Sequence, residues 1–127
     1  MKILVLEDEA DKYFEVRRAL EYNGVSEIDR AKNQKDGFDL IYENNKNGDS
    51  YDVVVTDMQY PLEQGASIDQ EAGFKLLERF QKEGIDIPVI ICSRLNYSEP
   101  DAFGTVWCDD RRDLNADFKE LIDKLRK

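Results

Sequence analysis

Apolar and polar positions alternate in blocks along this chain. Leu4-Val5-Leu6, Val53-Val54-Val55 and Val89-Ile90-Ile91-Cys92 are short unbroken apolar runs, and each closes on polar groups: Glu7-Asp8-Glu9, Thr56-Asp57 and Ser93. Runs of that length rich in Val and Ile suit strands covered on both faces, as in a parallel sheet. Between the runs, apolar residues recur at helical spacing. Tyr13, Val16 and Leu20 mark a first helix from Ala10 to about Asn23, with Gly24 as its stop. Ser26 to Lys32 reads as a weaker strand, and Asn33 caps a second helix carrying Phe38 and Ile41. A polar turn covers Asn44 to Ser50. Met58 to Gln70 has no apolar period and is expected to be a loop. Phe74, Leu77 and Phe80 mark the next helix, ended by Gly84, and Pro88 opens the strand that runs to Ser93. Arg94 to Phe103, with Asn96, Ser98 and Pro100, supports at most one helical turn before a strand at Thr105 to Cys108. Leu114, Phe118, Leu121, Ile122 and Leu125 then form the stripe of a last helix.

Strands alternating with helices in this way predict an α/β fold, a doubly wound five-stranded parallel sheet of flavodoxin-like order 2-1-3-4-5, with the fourth helix short or absent. In such sheets the ligand crevice lies outside the carboxyl ends of the strands, so Glu7, Asp8, Asp57 and Ser93 are expected to share one site. Three carboxylates brought together raise one another's pKa, and a proton or a cation must intervene. A hard divalent cation, Mg²⁺, suits carboxylate and carbonyl oxygens best and leaves positions for phosphoryl oxygens.

Composition narrows the function. At 127 residues the chain is expected to be a single domain, 1–127. Lys and Arg total 18 against 28 Asp and Glu, a formal charge of −10, which argues against nucleic acid and anionic membranes as partners and for proteins or cations. No apolar stretch approaches the roughly 18 residues of a membrane span, and Met1-Lys2 leads straight into a strand, so a cytoplasmic protein is expected. Cys92 and Cys108, the only cysteines, each end an apolar run and are expected to be buried and reduced. The absence of histidine removes His-based metal sites, Ser-His and Cys-His nucleophile pairs and phosphohistidine chemistry on this chain. Any phosphoryl acceptor has to be Asp57.

The residues at the strand ends resemble a known family. Lys2-Ile3-Leu4-Val5-Leu6-Glu7-Asp8-Glu9 is similar to the opening of a receiver domain of two-component response regulators, Asp57 followed by Pro61 resembles the phosphoacceptor strand, and Ser93 falls where the family has Ser or Thr. The resemblance implies a stand-alone receiver in which Asp57 takes a phosphoryl group from the phosphohistidine of a histidine kinase or phosphotransfer protein. It implies that Asp8 ligates Mg²⁺ directly, that Glu7 acts mainly through water and that Gln59 offers its backbone carbonyl. Ser93 would hydrogen-bond the phosphoryl group, and Trp107 would be the switch aromatic that turns inward to alter affinity for a downstream protein. Enzymatic activity would be limited to self-catalysed phosphotransfer and autodephosphorylation.

The chain departs from the family in three places. Asp109 or Asp110 stands where the family has a Lys at the end of the fifth strand, and Arg94, Arg111 and Arg112 are the candidates to compensate. The Leu62 to Ala72 stretch is longer than the family's connection and is a candidate lid; the fourth-helix region is shortened. Plainer readings stand beside these. Ser93 can cap a backbone group, Trp107 can serve the core, Glu9 can be a favourable charge at a helix start, and Arg111-Arg112 can be a solvated turn. Two further functions compete: a pseudo-receiver that binds proteins regardless of phosphorylation, and an aspartyl-phosphate hydrolase of the haloacid dehalogenase type, which Gln59 disfavours because a second Asp is needed there.

Overall fold

A computed structural model describes residues 1–127. In chain order the elements are β1 (Lys2–Leu6), α1 (Ala10–Tyr22), β2 (Glu27–Ala31), α2 (Gln34–Lys46), β3 (Val53–Thr56), β4 (Tyr60–Pro61), β5 (Ile68–Asp69), α3 (Ala72–Glu83), β6 (Val89–Ser93), β7 (Gly104–Trp107) and α4 (Leu114–Leu125). Five of the strands form one parallel sheet in the order β2-β1-β3-β6-β7. Counting only that sheet, this is the predicted order 2-1-3-4-5, a flavodoxin-like fold.

Period-two alternation along the strands separates two cores. Ile3, Val5, Val53, Val55, Ile90 and Val106 face α1 and α4, where they meet Val16, Leu20, Phe118 and Ile122. Leu4, Leu6, Val54, Val89 and Ile91 face α2 and α3, where they meet Phe38, Ile41, Leu76 and Phe80. Because both faces are covered, the runs need no polar side, and each Val or Ile buried contributes roughly 1.5 to 3 kcal/mol. The helix ends follow their local chemistry. Asn33 Oδ1 accepts the Asp36 N–H at 2.8 Å, Asp113 Oδ1 accepts the Ala116 N–H at 3.2 Å, and α3 stops at Gly84 in the left-handed region, φ 66°.

Strand register places the site. Leu6 pairs with Ala31 on one side and with Thr56 on the other, and Thr56 pairs with Ile91. Glu7, Asp57 and Ser93 therefore stand at the same edge, at the carboxyl ends of neighbouring strands.

Two expectations need correction and one is met. Met58 to Gln70 is not all loop: β4 and β5 pair as a small antiparallel hairpin, turned through Gly65 at φ 83°. Strands of two residues are too short to leave a period in the sequence. Tertiary contacts hold them instead: the buried Tyr60 hydroxyl lies 3.0 Å from Thr56 Oγ1 and accepts from Gln34 Nε2 at 3.3 Å. Cys92 and Cys108 are buried as expected but are joined in a disulfide, Cα to Cα 6.3 Å, rather than reduced. Cys92 faces Val106 in the β6 to β7 register, so alternation brings Cys108, two positions on, to the same face of the sheet. The segment between β6 and β7 contains no helix, in agreement with its Asn, Ser and Pro content.

Candidate functional site

Beyond the ends of β1 and β3 the chain turns Glu7, Asp8 and Asp57 toward one another, and one carboxylate oxygen from each lies within 4.8 Å of the others. Glu7 is buried, while Asp8 and Asp57 are partly exposed. Glu7 Oε2 accepts the Glu9 N–H at 3.1 Å, and Asp57 Oδ1 accepts the Met58 N–H at 2.7 Å. Arg30 reaches across from β2 and donates to the Glu7 carbonyl at 3.1 Å, fixing the turn rather than neutralising the acids. Asp8, Asp57, Gln59, Ile68 and Ser93 line a cleft of about 460 Å³, with Glu7 beneath it.

A residue absent from the sequence-level candidates dominates this site. Lys12, in the first turn of α1, is 2 % exposed and points its ammonium into the acidic cluster. Nζ lies 2.9 Å from Glu7 Oε1 and 2.8 Å from Asp57 Oδ1, and it donates to the Cys92 carbonyl at 2.8 Å. The cation required among three carboxylates is thus in part supplied by the chain itself. Burial pushes Glu7 up to about 7; the Lys12 charge opposes that rise and the Asp57 charge adds to it.

The other candidates fall into place around this cluster. Ser93 is buried at the cleft wall, where its Oγ accepts the Leu95 N–H at 3.2 Å, so the hydroxyl also ends the strand. Trp107 lies outside both apolar cores. Its indole N–H donates to the Arg94 carbonyl at 2.9 Å, and the Arg111 guanidinium sits 5.4 Å from the ring. Arg94, Arg111 and Arg112 pair with Glu9, Asp109 and Asp117 at 2.8, 2.8 and 2.6 Å, and none of them pairs with Asp57. Glu9 is therefore a surface ion-pair partner. From the inserted hairpin, Ile68 reaches the cleft, as does Gln70 just after it. Carboxylate and carbonyl oxygens are the donor set of a hard divalent cation, and Mg²⁺ fits that chemistry.

A family model of the response regulator receiver domain matches residues 3–106. The chain belongs to that family. Among solved structures similar to this receiver is a DNA-binding response regulator of the LuxR family from Staphylococcus aureus. It is 21% identical with a TM-score of 0.71, the match covering 99% of this chain and 98% of that one. A response regulator receiver domain protein from Clostridium thermocellum is 24% identical with a TM-score of 0.68, over 98% and 92% of the two chains. An orphan response regulator of H. pylori is 18% identical with a TM-score of 0.66, over 100% and 97%. No curated protein matches the chain significantly. No helix of the receiver is long and apolar enough to cross a membrane.

Proposed function

We propose that this receiver accepts a phosphoryl group on Asp57 from the phosphohistidine of a histidine kinase or phosphotransfer protein, and that the modified form changes its affinity for a downstream protein. One observation carries the reading: Asp57 Oδ1 is held by the Met58 N–H and the Lys12 ammonium, while Oδ2 takes no protein hydrogen bond at the edge of the cleft. Oδ2 is therefore the nucleophile. It attacks phosphorus, the new P–O bond forms as the donor P–N bond breaks, and the electron pair leaves on the imidazole nitrogen. Little covalent machinery is needed, since phosphoryl transfer depends chiefly on positioning and on neutralising charge. Glu7, Asp8, Asp57 and the Gln59 backbone carbonyl would hold Mg²⁺, which when bound supplies charge neutralisation for phosphoryl oxygens. Ser93 Oγ accepts the Leu95 N–H and keeps its own proton to give, so it would donate to the phosphoryl group. The charge of −10 supports a protein rather than a nucleic acid as the downstream partner.

Phosphoramidate and Mg²⁺ test the reading directly. Intact mass spectrometry is expected to show one added phosphoryl group on the wild type and none on Asp57→Ala; an unchanged wild-type mass would overturn it. The pseudo-receiver is the second reading, favoured by the acidic Asp109 and Asp110 after β7 and by the commitment of Arg94, Arg111 and Arg112 to other partners.

A further inference from the structure

We propose that Lys12 is the positioning residue of this acceptor site, a tethered cation that holds Asp57 for transfer and competes with Mg²⁺ for Glu7 and Asp57. The inference rests on the phosphoacceptor reading above. Lys12 is the only Lys or Arg in ion-pair contact with Asp57, and the same ammonium contacts Glu7. A fully buried lysine of this kind requires an explanation, because an ammonium is expensive to desolvate unless paired. Lys12 touches two carboxylates, one from the end of β1 and one from the end of β3, and is steadied from a third strand by the Cys92 carbonyl of β6. Its donors thus converge on the place where the acidic oxygens come together.

Two consequences follow from that position, and they have opposite signs. A positive charge against two of the three carboxylates weakens the attraction of the cluster for a second cation. The same charge fixes Asp57 through Oδ1 and leaves Oδ2 to attack; it also offsets the negative charge that gathers as a phosphoryl group approaches a carboxylate. In the transfer, Oδ2 forms the bond to phosphorus, the P–N bond of phosphoramidate breaks, and nitrogen leaves as ammonia after taking a proton from water. Lys12 exchanges no proton in this sequence. It acts through Asp57.

The experiment compares wild type, Lys12→Met and Lys12→Arg by calorimetric Mg²⁺ titration and by the rate of phosphorylation from phosphoramidate at saturating Mg²⁺. Lys12→Met is expected to bind Mg²⁺ at least tenfold more tightly and to be phosphorylated at least tenfold more slowly, and Lys12→Arg to recover part of both. Loss of packing alone would not tighten an ion while slowing a reaction. Should Lys12→Met leave Glu7 and Asp57 too strained to fold, the pair Glu7→Gln and Glu7→Gln/Lys12→Met supplies the same comparison with one fewer buried charge. Unchanged or weaker Mg²⁺ binding overturns the proposal. A wild type that is phosphorylated no faster than Lys12→Met overturns it while the phosphoacceptor reading stands. A wild type that takes no phosphoryl group at all overturns both.

Discussion

Tyr51 shows how a single side chain sets a measurable pH response away from the site. Its ring is buried and its hydroxyl donates to Asp29 Oδ2 at 2.6 Å. Burial first, and the bond to Asp29 second, raise the phenol above its ordinary value of 10.0. An acid whose folded pKa is raised is favoured in its protonated form, so its contribution is complete below about pH 10 and is lost as pH rises beyond that. Tyr51→Phe is expected to cost about 1.5 kcal/mol in urea unfolding at pH 7, because Asp29 loses a donor. The gap between the two proteins should narrow above about pH 10; a constant gap would show that the hydroxyl plays no part. Side chains differ sharply in how well they can be read from the sequence alone. Glu7, Asp8, Asp57 and Ser93 were legible because each closes an apolar run. Lys12 was not, since one more charge in a charged helix carries no mark by itself. A helical stripe through Lys12, Val16, Ala19 and Leu20, all buried, is the signal that would have exposed it.

Among the elements, the connection from β6 to β7 carries the clearest dynamic consequence. Its backbone N–H groups at Asn96, Tyr97, Ser98 and Glu99 donate to no protein acceptor, whereas the β6 amides are paired with neighbouring strands. Hydrogen exchange followed by NMR should find those four amides exchanging orders of magnitude faster than Ile90 and Ile91, and comparable protection would reveal a helix there. Long regular elements were predictable because their periods repeat several times. The β4 and β5 pair was not, since two-residue strands show no period and the Tyr60 hydroxyl is anchored by Thr56 and by Gln34, the latter 26 residues away in sequence.

Taken as a whole, the molecule is closed on one side by a covalent link. Cys92 and Cys108 join β6 to the segment after β7, the edge strand of the sheet. Thiol titration of the denatured, unreduced protein is expected to find no free thiol, and reduction to lower the unfolding free energy by about 3 kcal/mol, the chain-entropy value for a loop of this size. Two titratable thiols in the unreduced sample would contradict the link. The pairing is not legible in the sequence because two cysteines that each end an apolar run point to burial, and only the parallel register of β6 and β7 brings them onto one face.

The tether of Lys12 has one further consequence. A chelator can strip a diffusible ion from a protein, but it cannot remove a side chain. Treating this receiver with EDTA should therefore leave positive charge standing between positions 7 and 57.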